Sequence, residues 1–370
     1  MSSRYDEERA EAVSRWLAAR RPAVRKLWLE NDSEGLQLAP TLPTPPLPSL
    51  AFLHMSQLGF LPAQCAALLG HTGLTRIYMQ ACNASDGCEF EEPPRGASRL
   101  ANLQSLDISH CYRSQHSPWR HLDGPSRLTE LRLESCGIAT VPRGISTLSA
   151  LRRLYIGGEP TTAGWERLGA LRQLTSLTLT RMRHAALPAC ISRFAGLREL
   201  ELSANWHVTS WQVLLPLTRL EVLDLGHCNA MTELPAALSC MPRLRSLDLR
   251  NCASLAGGWH HLAVHRQLAT LNLAGCKLLA SLPAEVATLS ALQKLFLDES
   301  FTCAGFRHLA GLAHLTQVNM LYIGSNRVQD RALQGSAAEL AQDVAAARAL
   351  ASKGALQARQ LDRLLPPQAK

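Results

Sequence analysis

Leu220-Glu221-Val222-Leu223-Asp224-Leu225-Gly226-His227-Cys228-Asn229-Ala230-Met231-Thr232-Glu233-Leu234-Pro235 is the stretch whose spacing decides the fold. Leucines stand at its first, fourth and sixth positions and a cysteine at its ninth. The Leu-x-Leu core alternates as a short strand must, with one set of side chains turned inward and the residues between turned outward. The same pattern returns at Leu103-Leu106-Ile108-Cys111, Leu128-Leu131-Leu133-Cys136, Leu197-Leu200-Leu202-Asn205, Leu244-Leu247-Leu249-Cys252 and Leu268-Leu271-Leu273-Cys276. Weaker copies begin at Leu50, Leu74, Leu151, Leu174, Leu292 and Leu315. From Leu128 onward the starts lie 23 or 24 residues apart. A supersecondary unit repeated at this period cannot bury its apolar face alone and must stack on its neighbours.

The expected architecture is α/β: a leucine-rich-repeat solenoid (a horseshoe) with a parallel concave sheet, short 3₁₀ or helical segments on the convex side, and helical caps at both ends. About 12 repeats of 23–25 residues fill 50–326, preceded by an N-terminal helix and Pro-rich connector over 1–49 and followed by a helical cap or tail over 327–370. Within the first segment, residues 5–30 carry Trp16, Leu17, Val24, Leu27 and Trp28 among charges, the composition of an amphipathic helix. Six cysteines (82, 111, 136, 228, 252 and 276) share the ninth-position column, where a compact buried side chain suffices. Nine residues before each next start, Pro142, Pro188, Pro235 and Pro283 alternate with Trp119, Trp165, Trp211, Trp259 and Phe306. Each class recurs every 46 to 48 residues, so the duplicated unit is a pair of repeats. His265 and Pro125 interrupt the leucine column.

Several function classes are disfavoured. The formal charge is +8, but the basic residues are scattered, which argues against a nucleic-acid surface. Eleven cysteines without a CxxC pair do not make a secreted disulfide framework, and the reading is of reduced thiols in a cytosol. No apolar run has the length of a membrane span. P-loop, GxGxxG, GxSxG, HExxH and EF-hand motifs are absent, so no catalytic residue, metal or cofactor is expected. His110 and His227 precede column cysteines, but neighbours leaving a strand point apart, which suits no zinc site.

Function is sought instead on the concave row, whose side chains do not build the core. It reads His54, Tyr78, Asp107, Arg132, Tyr155, Thr178, Glu201, Asp224, Asp248, Asn272, Phe296 and Asn319. The candidate partner-binding residues are Tyr78, Arg132, Tyr155, Glu201, Asp224, Asp248, Arg250 and Phe296, an acidic run flanked by aromatic anchors, the mixture that protein interfaces use. Charge reversal at Glu201, Asp224 and Asp248 is expected to weaken partner binding and leave thermal unfolding nearly unchanged.

The Leu-Pro halves at 128–142 and 220–235, with the charged Trp-bearing N-terminus, resemble leucine-rich-repeat type III effectors of plant-pathogenic bacteria, the Xanthomonas outer protein L group among them. The resemblance implies a virulence protein secreted into the host-cell cytoplasm that binds a host protein. Some members of that group carry a C-terminal ubiquitin-ligase domain. This chain extends only about 45 residues past the last repeat and has no Cys-x-Asp triplet, so ligase activity, or recruitment of the ubiquitin-conjugating machinery, is the alternative to a plain scaffold. A cytosolic adaptor of the same repeat type is the third reading.

Overall fold

The computed structural model describes residues 12–17, 19–20, 23–30, 37–38, 46–56, 58–59, 70–80, 100–110, 127–136, 140–158, 163–279, 281–298, 301, 304–321, 337–357, 360–361 and 365. The chain packs as two units, one of residues 1–182 with 188–194, the other of 183–187 with 195–370. In the first unit, β1 (Lys26–Glu30) is hydrogen-bonded beside β3 (Phe52–Ser56), and β5 (Arg76–Gln80), β6 (Ser105–Asp107), β7 (Glu130–Glu134), β8 (Arg153–Gly157) and β9 (Ser176–Thr180) follow in chain order, all parallel. A separate parallel pair joins β2 (Gln37–Leu38) to β4 (Leu58–Gly59). The second unit repeats the scheme with β10 (Glu199–Glu201), β11 (Val222–Asp224), β12 (Ser246–Asp248), β13 (Thr270–Asn272), β14 (Lys294–Asp298) and β15 (Gln317–Leu321).

Leucine spacing explains the sheet. Leu131, Leu154 and Leu177 in the first unit, and Leu223, Leu247, Leu271 and Leu295 in the second, are all buried and stack in register within their unit. Full burial of each such side chain contributes about 1.5–3 kcal/mol, so the repeated column is the main source of stability.

The alternation of Pro and aromatic residues has a steric cause. Pro142, Pro188, Pro235 and Pro283 each cap a five-residue 3₁₀ segment from outside, with φ between −57° and −62°. Proline's locked φ suits this extended position, and its carbonyl accepts the N–H three residues on, Pro142 from Ile145 and Pro235 from Leu238. Three of the aromatic repeats enter their 3₁₀ segments through Gly164, Gly258 and Gly305, at φ 87°, 79° and 81°, whereas the Trp211 repeat has Ser210 there and starts its segment from Trp211 at φ −114°. A Cβ on Gly258 would lie 2.6 Å from the backbone of Leu234, and one on Gly305 2.5 Å from that of Leu282. Both leucines immediately precede the proline of the repeat before. At these two places the backbone of an aromatic repeat presses into a notch on the proline repeat before it that only glycine leaves.

Two expectations change at the N-terminal end. Helix was expected across residues 5–30, but among the described residues it covers only 12–17 and 19, and Lys26–Glu30 is a strand. Val24-x-x-Leu27-x-Leu29 is the repeat signature itself, and the neighbouring strand supplies partners for its backbone. The strand row therefore begins before residue 50. At the other end, within the expected helical cap or tail over 327–370, a helix runs over Ala337–Ser352 and packs on the Phe306–Leu309 segment. Gly354, at φ 73°, turns the chain back so that the Ala355 carbonyl accepts the Val318 N–H at 2.7 Å. Asp343 is buried there and accepts the N–H groups of Gly305 (3.0 Å) and Arg307 (2.8 Å), while its carboxylate also pairs with the Arg307 guanidinium at 2.9 Å. Cys82, Cys111, Trp119, Pro125 and Pro40 to Pro45 lie outside the described residues.

Candidate functional site

The ninth-position column is structural. Cys136, Cys228, Cys252 and Cys276 are buried free thiols. Each donates to a main-chain carbonyl in the repeat before, at 2.9 Å to Ile108, 3.4 Å to Leu202, 3.1 Å to Leu225 and 3.2 Å to Leu249. Asn205 solves the same problem within its own repeat, donating to Leu202 at 2.7 Å. Burial pushes the Cys252 thiol up to about 12 and raises those of Cys228 and Cys276 as well, so these sulfurs stay protonated and un-nucleophilic. His227 sits at φ 61° with its Nε2 3.3 Å from Asn251 Nδ2. Among the described residues, no group of three or more His, Cys, Asp or Glu could hold a metal ion.

The outward row is in register within each unit. In the first, His54, Tyr78, Asp107, Arg132, Tyr155 and Thr178 are successive pairing partners. The Arg132 guanidinium lies 3.8 Å from the centre of the Tyr155 ring, a cation–π contact. Glu130, one turn of the pleat away, pins it at 3.0 Å and holds Arg153 at 3.0 Å with its other oxygen. Burial alone would raise the Glu130 carboxyl, but hydrogen bonds from Arg153 and Arg132 outweigh it and hold it below the ordinary value. Burial raises the Tyr155 hydroxyl. Tyr78 belongs to a different cluster, 5.6 Å from Phe52 and 6.3 Å from His54 between ring centres. Trp28 lies 4.4 Å from His54 and 5.4 Å from Phe52, and is 62% exposed. Trp28 is missing from the sequence-derived set because Lys26–Glu30 reads as helix there, where the Leu27-x-Leu29 spacing was the available signal; Phe52 is missing because the row takes one residue per strand, here His54.

In the second unit, Glu201, Asp224, Asp248, Asn272, Phe296 and Asn319 pair in succession. Arg250 bridges two of the acids, 3.3 Å from Asp224 and 3.6 Å from Asp248, and Asn272 Nδ2 donates to Asp248 at 3.2 Å. Phe296 lies beyond Asn272, while Tyr155 belongs to the first unit with Arg132. Burial pushes the Asp224 carboxyl up to about 6; neighbouring Asp248 and Glu201 add to that rise, while the Gly226 N–H and Arg250 oppose it. The arrangement offers fixed, half-buried charge for recognition.

These acids also shape the backbone, which the sequence did not reveal. Asp224 Oδ1 accepts the N–H of Gly226 at 2.7 Å, Asp248 that of Arg250 at 2.8 Å, and Asn272 that of Ala274 at 3.1 Å. Asp107 does the same with Ser109 at 2.9 Å in the first unit. Such a side chain competes with the strand ladder and turns the chain out of it. The strands ending at these four residues are three residues long, whereas those carrying Arg132, Tyr155, Thr178 and Phe296 in the row are five. Asn319 fits the rule by exception: its Oδ1 takes the Gln317 Nε2 donor instead, and its strand runs five. Charge reversal of the aspartates would consequently remove a strand stop, so the expectation of unchanged unfolding does not follow from this geometry.

Among the described residues no helix is long and apolar enough to cross a membrane. No curated protein matches the chain. Among solved structures, an internalin (inlF) from Listeria monocytogenes superimposes with a TM-score of 0.59 at 17% identity, over 84% of this chain and 94% of that one. A TLR13–ssRNA13 complex superimposes with a TM-score of 0.53 at 19% identity, over 80% of this chain and only 46% of that one. At such identities the likeness is one of fold. The family described as leucine-rich repeat region matches residues 88–339, well over half of the chain. With its stacked parallel strands and 3₁₀ returns, the chain belongs to the leucine-rich-repeat family, a fold that supports protein-binding scaffolds.

Proposed function

We propose that this protein is a non-catalytic effector-type scaffold that binds a host protein through the outward row of its strands. The observation that carries this reading is the preorganised charge on that row. Arg132 is stacked on Tyr155 and pinned by Glu130, and Arg250 is clamped between Asp224 and Asp248. Side chains held in one geometry before binding lose little entropy on contact, the condition under which interface charges and aromatics contribute most. The raised thiols of the cysteine column support binding over thiol chemistry. Delivery into a plant cell by a type III apparatus, and a role in virulence, are supported by the resemblance in the repeat halves.

The experiment is affinity capture from plant lysate with the wild-type chain and with Glu201→Gln/Asp224→Asn/Asp248→Asn, which removes charge but keeps the Oδ1 acceptors. Loss of the same host proteins from the variant, with a cooperative melt retained, supports the row as the contact surface; undiminished capture sinks it. A translocation reporter fused to the chain tests delivery, and signal independent of the secretion apparatus would overturn the effector reading. Ubiquitin chains formed by the intact protein in a reconstituted assay would overturn the non-catalytic one.

A further inference from the structure

The second unit carries a separate surface along the turns that feed its strands. Residue positions one after each repeat start stack by main-chain hydrogen bonds. Glu221 donates to Arg198, Arg245 to Glu221, Ala269 to Arg245 and Gln293 to Ala269, all at 2.7–2.9 Å. Around this spine stand Arg198, Arg219, Arg243, Arg245, Arg266 and Lys294, every one exposed. The acids on the same edge are Glu199 and Glu221, and Glu221 is taken up by Arg198 at 3.0 Å. Arg219, Arg243, Arg245, Arg266 and Lys294 have no ion-pair partner among the described residues. By contrast, the row arginines Arg132 and Arg250 are both paired. Unpaired guanidinium groups are thus gathered on one edge. With strands ~4.8 Å apart, the six cations span about 20 Å.

Exposed apolar side chains lie among them. Leu215 is 44% exposed, Val222 39% and Val264 44%, all on the turns or strand starts of the same edge. This mixture decides the kind of ligand. A nucleic-acid strand needs aromatic platforms or a groove of one sign. Among the described residues no exposed large aromatic lies on this edge, and the acidic row of Glu201, Asp224 and Asp248 begins only a few residues along the strands. A lipid headgroup plane would meet those same acids. A polypeptide can place carboxylates on the arginines and apolar groups on Leu215, Val222 and Val264 while avoiding the row. Arginine's planar fork also suits paired carboxylate contacts.

We propose that the strand-entry edge of the second unit is a docking ridge for an acidic polypeptide segment with interspersed apolar residues. It is distinct from the outward row and stands or falls separately from it. The probe is a fluorescein-labelled peptide of repeated Glu-Glu-Leu triplets, followed by anisotropy with the full chain. Binding is expected to weaken as salt rises and to fall roughly tenfold or more in Arg219→Gln/Arg243→Gln/Arg245→Gln/Arg266→Gln. The matching four Arg→Lys replacements, which keep the charge, should retain most of the affinity and guard against a folding artefact. Glu201→Gln/Asp224→Asn/Asp248→Asn should not weaken peptide binding, which separates this ridge from the row. Equal binding by the four-glutamine variant would overturn the proposal. So would tighter binding of single-stranded polyuridine or phosphatidylserine vesicles that is lost in that variant, since the ridge would then serve a nucleic acid or a membrane.

Discussion

Two stretches of the outward row, Arg132 to Tyr155 in the first unit and Asp224 to Asn272 in the second, solve one problem, how to end a strand and what to show at its end, in different ways; Asp107 of the first unit follows the second scheme. In the first, the row at Arg132 and Tyr155 uses long side chains that reach sideways to each other and to Glu130. Their strands keep five residues. In the second, Asp224, Asp248 and Asn272 fold back onto their own backbone and stop the strand after three. The inward leucines are indifferent to the choice, since both kinds of strand bury them equally. The lesson is that a carboxylate on the row of the second unit is partly structural, with one oxygen for the turn and the other for Arg250 or a partner.

The largest expected effect tests that division directly. Asp248→Ala removes the acceptor of the Arg250 N–H, the partner of the Arg250 guanidinium and the acceptor of Asn272. It should cost about 2 kcal/mol in urea unfolding, since several hydrogen bonds to a charged group are lost. Asp248→Asn keeps Oδ1 and should cost less than half as much. Arg132→Ala in the first unit removes a half-exposed ion pair and a ring contact, worth about 1 kcal/mol or less. Equal losses for Asp248→Ala and Arg132→Ala would erase the distinction between the two stretches.

A smaller difference lies in the core behind the rows. Leu171 of the first unit and His265 of the second hold equivalent places in the 3₁₀ return, and His265 is fully buried. Neither ring nitrogen has a hydrogen-bond partner of normal geometry. Burial lowers its pKa, and the nearby Met241 backbone offsets only part of that. His265→Leu should stabilise the protein by about 1–2 kcal/mol by removing an unsatisfied polar group. The neutral imidazole is favoured in the fold, so its contribution is intact above the unfolded value near 6.5 and is lost as pH falls below it. The leucine variant should therefore lose less stability on acidification; an unchanged acid profile would contradict the assignment.

The smallest effect is a difference of sign. Glu130 has a lowered pKa, so its contribution is present above 4.5 and is lost as pH falls through the folded value. Asp224 is raised to about 6 from 3.8, so its contribution is present below 3.8 and is lost as pH rises through about 6. Carboxyl chemical shifts followed by NMR, with Glu130→Gln and Asp224→Asn as assignments, should show midpoints on opposite sides of the ordinary range. Coincident midpoints would mean that the two rows share one electrostatic environment.

The repeat, its register and the outward row were legible because the strand period of two and the repeat period of 23 or 24 are written in every copy. The strand at Lys26–Glu30 was less legible: one copy of the signature, among Trp and Arg, also satisfies a helical pattern, and the choice was made by the open edge of β3. The use of Arg250 as a clamp could not be read either, because Asp224, 3.3 Å from it in space, lies 26 residues away in sequence.

Local spacing of apolar residues alone determined that this chain stacks repeats, which side chains face inward, and that repeats come in pairs. That information is sufficient because burial depends only on which face a residue occupies. The tertiary structure decided what the outward residues do. Whether Asp224 serves a turn or a partner, and whether an arginine is paired or waiting, depends on distances between repeats that no single repeat encodes.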